Sequence, residues 1–374
     1  DEASAIAGIS AAIAFIAILS ALVAALVSRK DMVGQAWAQQ ISVPSITLAG
    51  AGIAVAMDTG VSGVIAAFTG AHLVGALIAF RRFWVADGPL LKRPDIEPET
   101  ETRSLFAYAL PQSFARVLYR ANLWVDILML TALSTLADVG VYRVSVALAM
   151  LGALPVMAST TMFGPVIAEL VYTNQIQKLN ALLKIVTRWL LIIATPLYFG
   201  VLLLPDVVLS IFDSAYLSGA SALVILMVGQ AIYVAAAPTG AILTNAGHST
   251  LNLINGMVAV GLNISLNAWL IPLHGIHGAA VASATALSVW SILRVVQVRW
   301  IHKCSPWSAK SVVLVGIAIA TGGLAEALIS DLGIWQRVVC VGLIVGVGMG
   351  LVWCFGRTAE DDAVIDRVRA RLSR

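Results

Sequence analysis

The sequence specifies an all-α polytopic membrane protein, with about eleven transmembrane helices in two pseudo-repeated bundles, the first of which lacks its N-terminal part. Three observations carry this expectation. Of 374 residues, 60% are hydrophobic and only 11% charged, against roughly a quarter charged in an ordinary soluble chain; mean hydropathy is +0.93. The apolar residues gather into runs of about 20, the length that crosses a bilayer core as a helix. One block of three runs also recurs further along the chain. Twenty acidic and 23 basic residues cannot coat a soluble surface of this size, which excludes a soluble enzyme, a nucleic-acid binder and a disordered chain.

Each run has its own justification. The first three, 5–27, 32–57 and 59–80, are separated by short polar breaks. The first is not a cleaved signal peptide, because Asp1 and Glu2 precede it and a second span follows at once. Six runs follow at 105–132, 139–166, 185–204, 221–245, 251–271 and 276–298, and two more at 311–329 and 334–355. Their continuous apolar character favours helices over the alternating strands of a barrel. The longest polar stretch, Arg81 to Ser104, is rich in Pro and in both charge signs and reads as a linker. The expected organisation is therefore a partial N-terminal bundle over 1–95 with the start of the linker, a six-helix bundle over 96–300, and two further spans with a tail over 301–374.

Orientation follows from Lys and Arg. One alternating set of connections holds 19 of the 23 basic residues, including Arg29, Arg81, Arg82, Lys178, Lys184, Arg188, Arg294, Arg299, Lys303 and the five arginines of 357–374. The opposite set holds Arg337 alone beside a series of acids. The linker and the C-terminus are expected in the cytoplasm and the given N-terminus outside, in a cytoplasmic (inner) membrane. Cys304, Cys340 and Cys354 form no CxxC pair, so neither a zinc site nor a disulfide framework is expected.

The repeat aligns DTGVSGVIAAFTG at 58–70 with LHGIHGAAVASAT at 273–285. Gly60 and Gly63 fall on Gly275 and Gly278 at one constant offset. The same offset carries 5–27, 32–57 and 59–80 onto 220–242, 247–272 and 274–295 without an indel. Three spans precede the second copy and none the first, so about 100 residues are expected to be absent from the N-terminal half.

Four stretches resemble the polysaccharide-biosynthesis (O-antigen, Wzx-type) flippases of the multidrug/oligosaccharidyl-lipid/polysaccharide exporter superfamily, which includes the MATE-like proteins. They are YALPQSFARVLYRANLWVDILML at 108–130, DVGVYRVSVALAML at 138–151, LPDVVLSIFDSAYLSGASALVILMVGQAI at 204–232 and NAGHSTLNLINGMVAVGLNISLNAWLIPLHGIHGAAVASATA at 245–286. The resemblance covers roughly 105–300 well and 1–80 by pattern. It implies alternating-access export of undecaprenyl-diphosphate-linked oligosaccharide through a cavity between two rocking bundles. Implied partners are the polyprenyl-diphosphate-linked glycan and the lipid bilayer, with a polysaccharide polymerase and glycosyltransferases alongside and no nucleic acid.

The residues supply their own chemistry. Arg116 and Arg120 lie inside 105–132 at i, i+4, so both guanidinium groups project from one face. Two planar forks suit a diphosphate better than lysines do. The competing reading makes 105–120 an interfacial helix with both arginines snorkelling. Asp126 and Arg143 are read as a structural pair across a hairpin, or Asp126 as a proton or cation site coupled to transport. Asn255, Asn263 and Asn267, with Asn252, fall on one helix face, and Gln230 lies on the preceding span. They are candidate substrate contacts for sugar hydroxyls, or equally interhelical hydrogen bonds. Gly342, Gly346 and Gly350 suggest close helix packing, and 172–184 an amphipathic surface helix. No P-loop is present, so direct ATP use is not expected; no cofactor is expected beyond H+ or Na+ coupling. A cation-coupled drug exporter of the same superfamily is the alternative. A membrane polymerase or ligase ranks last because the outward connections are short.

Overall fold

A computed structural model describes residues 2–29, 31–87, 98–308, 311, 315–316 and 333–356. These residues form helices and turns, with no strand among them. The chain divides into two compact units, Asp1–Glu99 and Thr100–Arg374. The division falls slightly beyond the break expected from the sequence, and the last helix groups with the second unit.

Unit 1 contains α1 (Glu2–Ser28), α2 (Met32–Gln35), α3 (Ser42–Ala56) and α4 (Gly60–Asp87). α2 passes into α3 through a π-helical turn, Ala36–Ile41. The widened turn pushes the Ala38 carbonyl against α4 at Gly75, where a Cβ would stand only 2.5 Å from that oxygen. Leu19, Leu26, Ala38, Ala76, Ala79 and Phe83 make the core. Asp31 caps α2, its carboxylate accepting from the Gly34 N–H at 2.9 Å. Arg29 covers the Phe83 ring at 4.0 Å.

Unit 2 contains α5 (Pro98–Leu133), α6 (Leu136–Leu151), α7 (Leu154–Tyr172), α8 (Ile176–Leu203), the short α9 (Pro205–Ser210), a 3-10 turn (Ser214–Gly219), α10 (Ala220–Asn245), α11 (Ser249–His302) and α12 (Ile334–Gly356). α10 is the hub, packed against α6, α7, α8 and α11. Its Leu223 and Met227 join Leu130, Tyr142, Leu209 and Ala280 in the main core cluster. α12 leans on α8 through Val341 and Leu204.

α11 is 54 residues long, about 80 Å at the α-helical rise, too long for one crossing. It is two crossings joined at Gly275, whose φ of 54° and ψ of −129° are open only to glycine. The arms, 249–274 and 276–302, close tightly past this break: a Cβ on Gly278 would run into the carbonyl of Leu270. The sequence repeat reappears here. Gly60, the counterpart of Gly275, also has positive φ, at 63°, and opens α4 as Gly275 opens the second arm. Gly63, counterpart of Gly278, is likewise crowded, against Ala54 and Thr59. α4 ends at Asp87 and the second arm at His302, a pair related by the same offset.

Several expectations need correction. The run 139–166 is a broken span: α6 and the start of α7 meet at 47°. Gly152 and Pro155 lie at the join, where proline supplies no N–H to continue the ladder. Residues 172–184 form no separate surface helix. Tyr172 ends α7, Asn174 turns the chain at φ 55°, and 176–184 are the first turns of α8, burying Leu179 and Leu183. The 81–104 linker is shorter than expected, since α4 runs through Asp87 and α5 begins at Pro98. Arg188 is 5% exposed and Arg294 has a buried Nε, so these two, unlike the exposed Arg81, Arg82, Lys178 and Arg299, are set aside from the basic asymmetry between the two sides. Gly342, Gly346 and Gly350 have no neighbour within 4 Å of an added Cβ, so no packing occurs on that stripe among the described residues. The expected span 311–329 lies almost wholly outside them.

A buried polar file on α5 and an exposed arginine pair

α5 is a single helix of 36 residues, so 105–120 continue the span rather than lying apart from it. Counted back from Leu133, Arg120 is about 20 Å and Arg116 about 26 Å along the axis, inside a core of ~30 Å. The pair is separated by about 40° around the helix. Both side chains are exposed, on a flank that α5 does not use to pack against its own unit. Among the described residues, no carboxylate lies within ion-pair distance of either.

The inward face of α5, about 100° round the helix from the pair, is unusual. Tyr108, Gln112, Ala115, Tyr119, Asn122 and Asp126 recur at i, i+4, i+7, i+11, i+14 and i+18, the helical phase of a core stripe, yet only Ala115 is apolar. Tyr108, Tyr119 and Asn122 each meet a partner on α10 or α11. The Tyr108 hydroxyl donates to the Thr244 carbonyl at 2.7 Å. The Tyr119 ring meets the edge of Trp290 at 5.5 Å. Asn263 donates to the Asn122 side-chain oxygen at 3.1 Å.

Asp126 is 3% exposed and ends this file. Its carboxylate accepts from Asn267 Nδ2 at 2.8 Å, from the Tyr142 hydroxyl at 3.2 Å and from the Ser283 hydroxyl. Asn267 also donates to Asn263 at 2.6 Å. Four segments, α5, α6 and both arms of α11, therefore converge on one carboxylate through neutral donors. A buried carboxylate in a span is costly, and hydrogen bonds to its charged form are what offset that cost.

The pairing expected between Asp126 and Arg143 is absent. Arg143 is exposed and covers the Trp124 ring, 4.8 Å from its centroid. Residues 126 and 143 point to different sides of the α5–α6 hairpin, because Tyr142 takes the inward position. Of the two readings of Asn255, Asn263 and Asn267, sugar contacts or interhelical hydrogen bonds, the structure displays the second. They are 1%, 0% and 0% exposed, inside the bundle. Asn255 and Gln297 exchange reciprocal amide bonds of 2.7 and 2.8 Å across the two arms, and Asn252 donates to Thr244 at 3.1 Å. The stripe is interhelical bonding. Gln230 is half-buried with its Oε1 unpartnered. Asn122, Tyr142, Ser283 and Arg294 were not legible as site residues one by one; the polar stripe on α5 was there to be read by helical phase. His277 meets Ser221 at 3.0 Å, and no cluster of three metal-binding side chains occurs among the described residues.

No protein-family model matches the sequence. A probable low-salt glycan biosynthesis flippase, Agl15 of Haloferax volcanii, is 24% identical over 207 residues, covering 54% of this chain and 43% of that protein. The chain thus spans less than half the length of this curated relative. Among solved structures, the lipid II flippase MurJ in an inward closed conformation superimposes with a TM-score of 0.62 at 13% identity, over 91% of this chain and 72% of that one. A MATE point mutant gives 0.61 at 16% identity, over 73% and 62%. The fold is that of these transporters. Several of the described helices are long and apolar enough to cross a membrane, as expected of a multi-pass membrane protein of this fold.

Proposed function

We propose that the chain acts as a flippase that moves a polyprenyl-diphosphate-linked oligosaccharide across the cytoplasmic (inner) membrane by alternating access, with its C-terminus in the cytoplasm. The observation that carries this reading is the arginine pair on α5. Two exposed guanidinium groups on one flank of α5, one turn apart and with no carboxylate within ion-pair distance among the described residues, form a cationic station for an anionic headgroup. The diphosphate would bridge Arg116 and Arg120 while the prenyl chain stays in lipid. The similarity to a glycan biosynthesis flippase agrees with this substrate class. Glycosyltransferases and a polymerase acting on the same glycan would be its working partners.

The drive is proposed to act at Asp126, which takes up and releases a proton or sodium ion during the cycle. Outward movement of a dianionic headgroup is also favoured by an inside-negative potential, by about 2.3 kcal/mol per charge per 100 mV. A cation-coupled drug exporter is the second reading, and the buried Asp126 and the MATE-like fold favour it. The arginine pair distinguishes the two, because it would repel a cationic drug. In a host depending on this export, Arg116→Ala combined with Arg120→Ala is expected to abolish glycan export while membrane insertion and protein level stay normal. Undiminished export in the double variant would sink the flippase reading.

A further inference from the structure

Six buried polar atoms on α5, α10 and the two arms of α11 find no hydrogen-bond partner among the described residues: Gln112 Oε1, Gln230 Oε1, Asn252 Oδ1, Asn267 Oδ1, Trp290 Nε1 and Arg294 Nε. They are not scattered. Contacts between the helices and the helical rise order all but Gln230 along one axis. At one end Tyr108 and Asn252 hold Thr244. One turn further along α10 stands Gly240, and Arg294 packs against it: a Cβ there would be 3.0 Å from Nη1. One turn along α5, Gln112 reaches the same level. Beyond lies the Tyr119–Trp290 edge contact, with the Tyr233 and Tyr119 hydroxyls close enough to act electrostatically on Arg294. Then come Asn122 and Asn263, and last Asn267 on Asp126.

Arg294 decides what this interior is for. Its guanidinium covers the Trp290 ring at 4.5 Å, and among the described residues no carboxylate neutralises it. A half-buried cation with its Nε buried and unpartnered, beside unsatisfied amide and indole groups, is unfavourable in a dry core. Water is the occupant that satisfies an amide oxygen, an indole N–H and a guanidinium N–H together, since each molecule both donates and accepts and needs two to four polar partners. The phase of α5 supplies those partners at successive levels rather than at one isolated spot.

We propose that unit 2 encloses a water-filled track running from the Tyr108–Thr244 end to Asp126, with Arg294 as its cationic lining. That end lies beside Lys303 and Lys178, so it is cytoplasmic on the positive-inside reading. Water along the track lets Asp126 exchange protons with the cytoplasm, each molecule accepting one proton and passing on another. The purpose assigned to the track rests on Asp126 being the coupling carboxylate; its existence does not.

The test is hydroxyl-radical footprinting of the full chain in lipid nanodiscs, read by mass spectrometry, because radicals form from water at the site and need no transport. Trp290, with the part-buried Tyr119 and Tyr233, is expected to oxidise several-fold faster than Phe199 of α8, after correction for intrinsic reactivity, although Trp290 is 2% exposed and Phe199 8%. Arg294→Leu is expected to bring the three down to the Phe199 level, and Arg294→Lys to restore most of the labelling. Wild-type Trp290, Tyr119 and Tyr233 as inert as Phe199 would overturn the track, and labelling unchanged in Arg294→Leu would overturn the role of the arginine. Loss of export in the Arg116–Arg120 double variant bears only on the flippase reading. A track found in a chain that exports no glycan would therefore stand apart from it.

Discussion

Asp126 shows what one residue can concentrate. A carboxylate held by Asn267, Tyr142 and Ser283 keeps its bonds only while those donors face it, so its protonation state and the packing of four segments depend on each other. Asp126→Asn is expected to preserve the fold, since the amide fills the same volume, its oxygen can still accept from Asn267 and its NH2 can donate to the Ser283 or Tyr142 hydroxyl. It is expected to remove the dependence of transport on a proton or sodium gradient, leaving export at the slow rate that the membrane potential sustains. Transport in proteoliposomes with imposed gradients measures this, and a variant that follows the gradients as wild type does would exclude Asp126 from coupling. The residue scale is also where the sequence was least legible. Arg116, Arg120 and Asp126 stood out because charge in a span is rare. The destination of each charge depended on which way neighbouring side chains faced. Arg143 found an indole ring rather than Asp126, a contact that no spacing rule anticipates.

At the scale of elements, the prolines and glycines were visible in sequence but their consequences differed. Pro111, Pro165, Pro196, Pro238 and Pro272 all lie inside continuous helices, tolerated because neighbours and side chains can satisfy the freed carbonyls in lipid. The breaks come instead at Gly152–Pro155 and at Gly275. Gly278 is the position where an element depends on having no side chain. Gly278→Ala pushes a methyl into the Leu270 carbonyl, and no rotamer change relieves a clash with backbone. The expected cost is about 2–3 kcal/mol, read as a fall in the thermal midpoint of the detergent-solubilised protein. Gly261→Ala, with open space around it, is the control and should be close to neutral. Spans were readable as apolar runs because lipid imposes a length; the split of 139–166 and the fusion of 176–184 into α8 were not, because both hinge on turn geometry rather than on hydropathy.

For the molecule as a whole, composition alone fixed the solvent, and the constant offset between the paired glycines anticipated the recurrence of α1, α3 and α4 in α10 and the two arms of α11. The offset was legible because glycine at a left-handed position cannot be exchanged for another residue without strain. What the sequence could not supply was the interior of unit 2, since an asparagine that lines a cavity and one that bonds a neighbouring helix have the same spacing. With Arg188 and Arg294 set aside, the other basic residues still divide unevenly between the two sides. Reporter fusions after Arg374 and within 88–97 are expected to read as cytoplasmic, and one at Gly275 as external; the reverse pattern would invert the topology and with it the end from which the polar file opens.

The glycine step at 275 has one more consequence, which concerns phase. It indexes the second arm against the first, so that Ser283, Trp290, Arg294 and Gln297 arrive opposite Asp126, Tyr119, Gly240 and Asn255. A single residue inserted there would leave every hydropathy plot unchanged and every span its proper length. It would also rotate the whole second arm by about 100° and advance it by about 1.5 Å, taking all four rungs out of register together. The address of each polar group in unit 2 is thus written jointly by its own position and by the angle at which one glycine resets the helix.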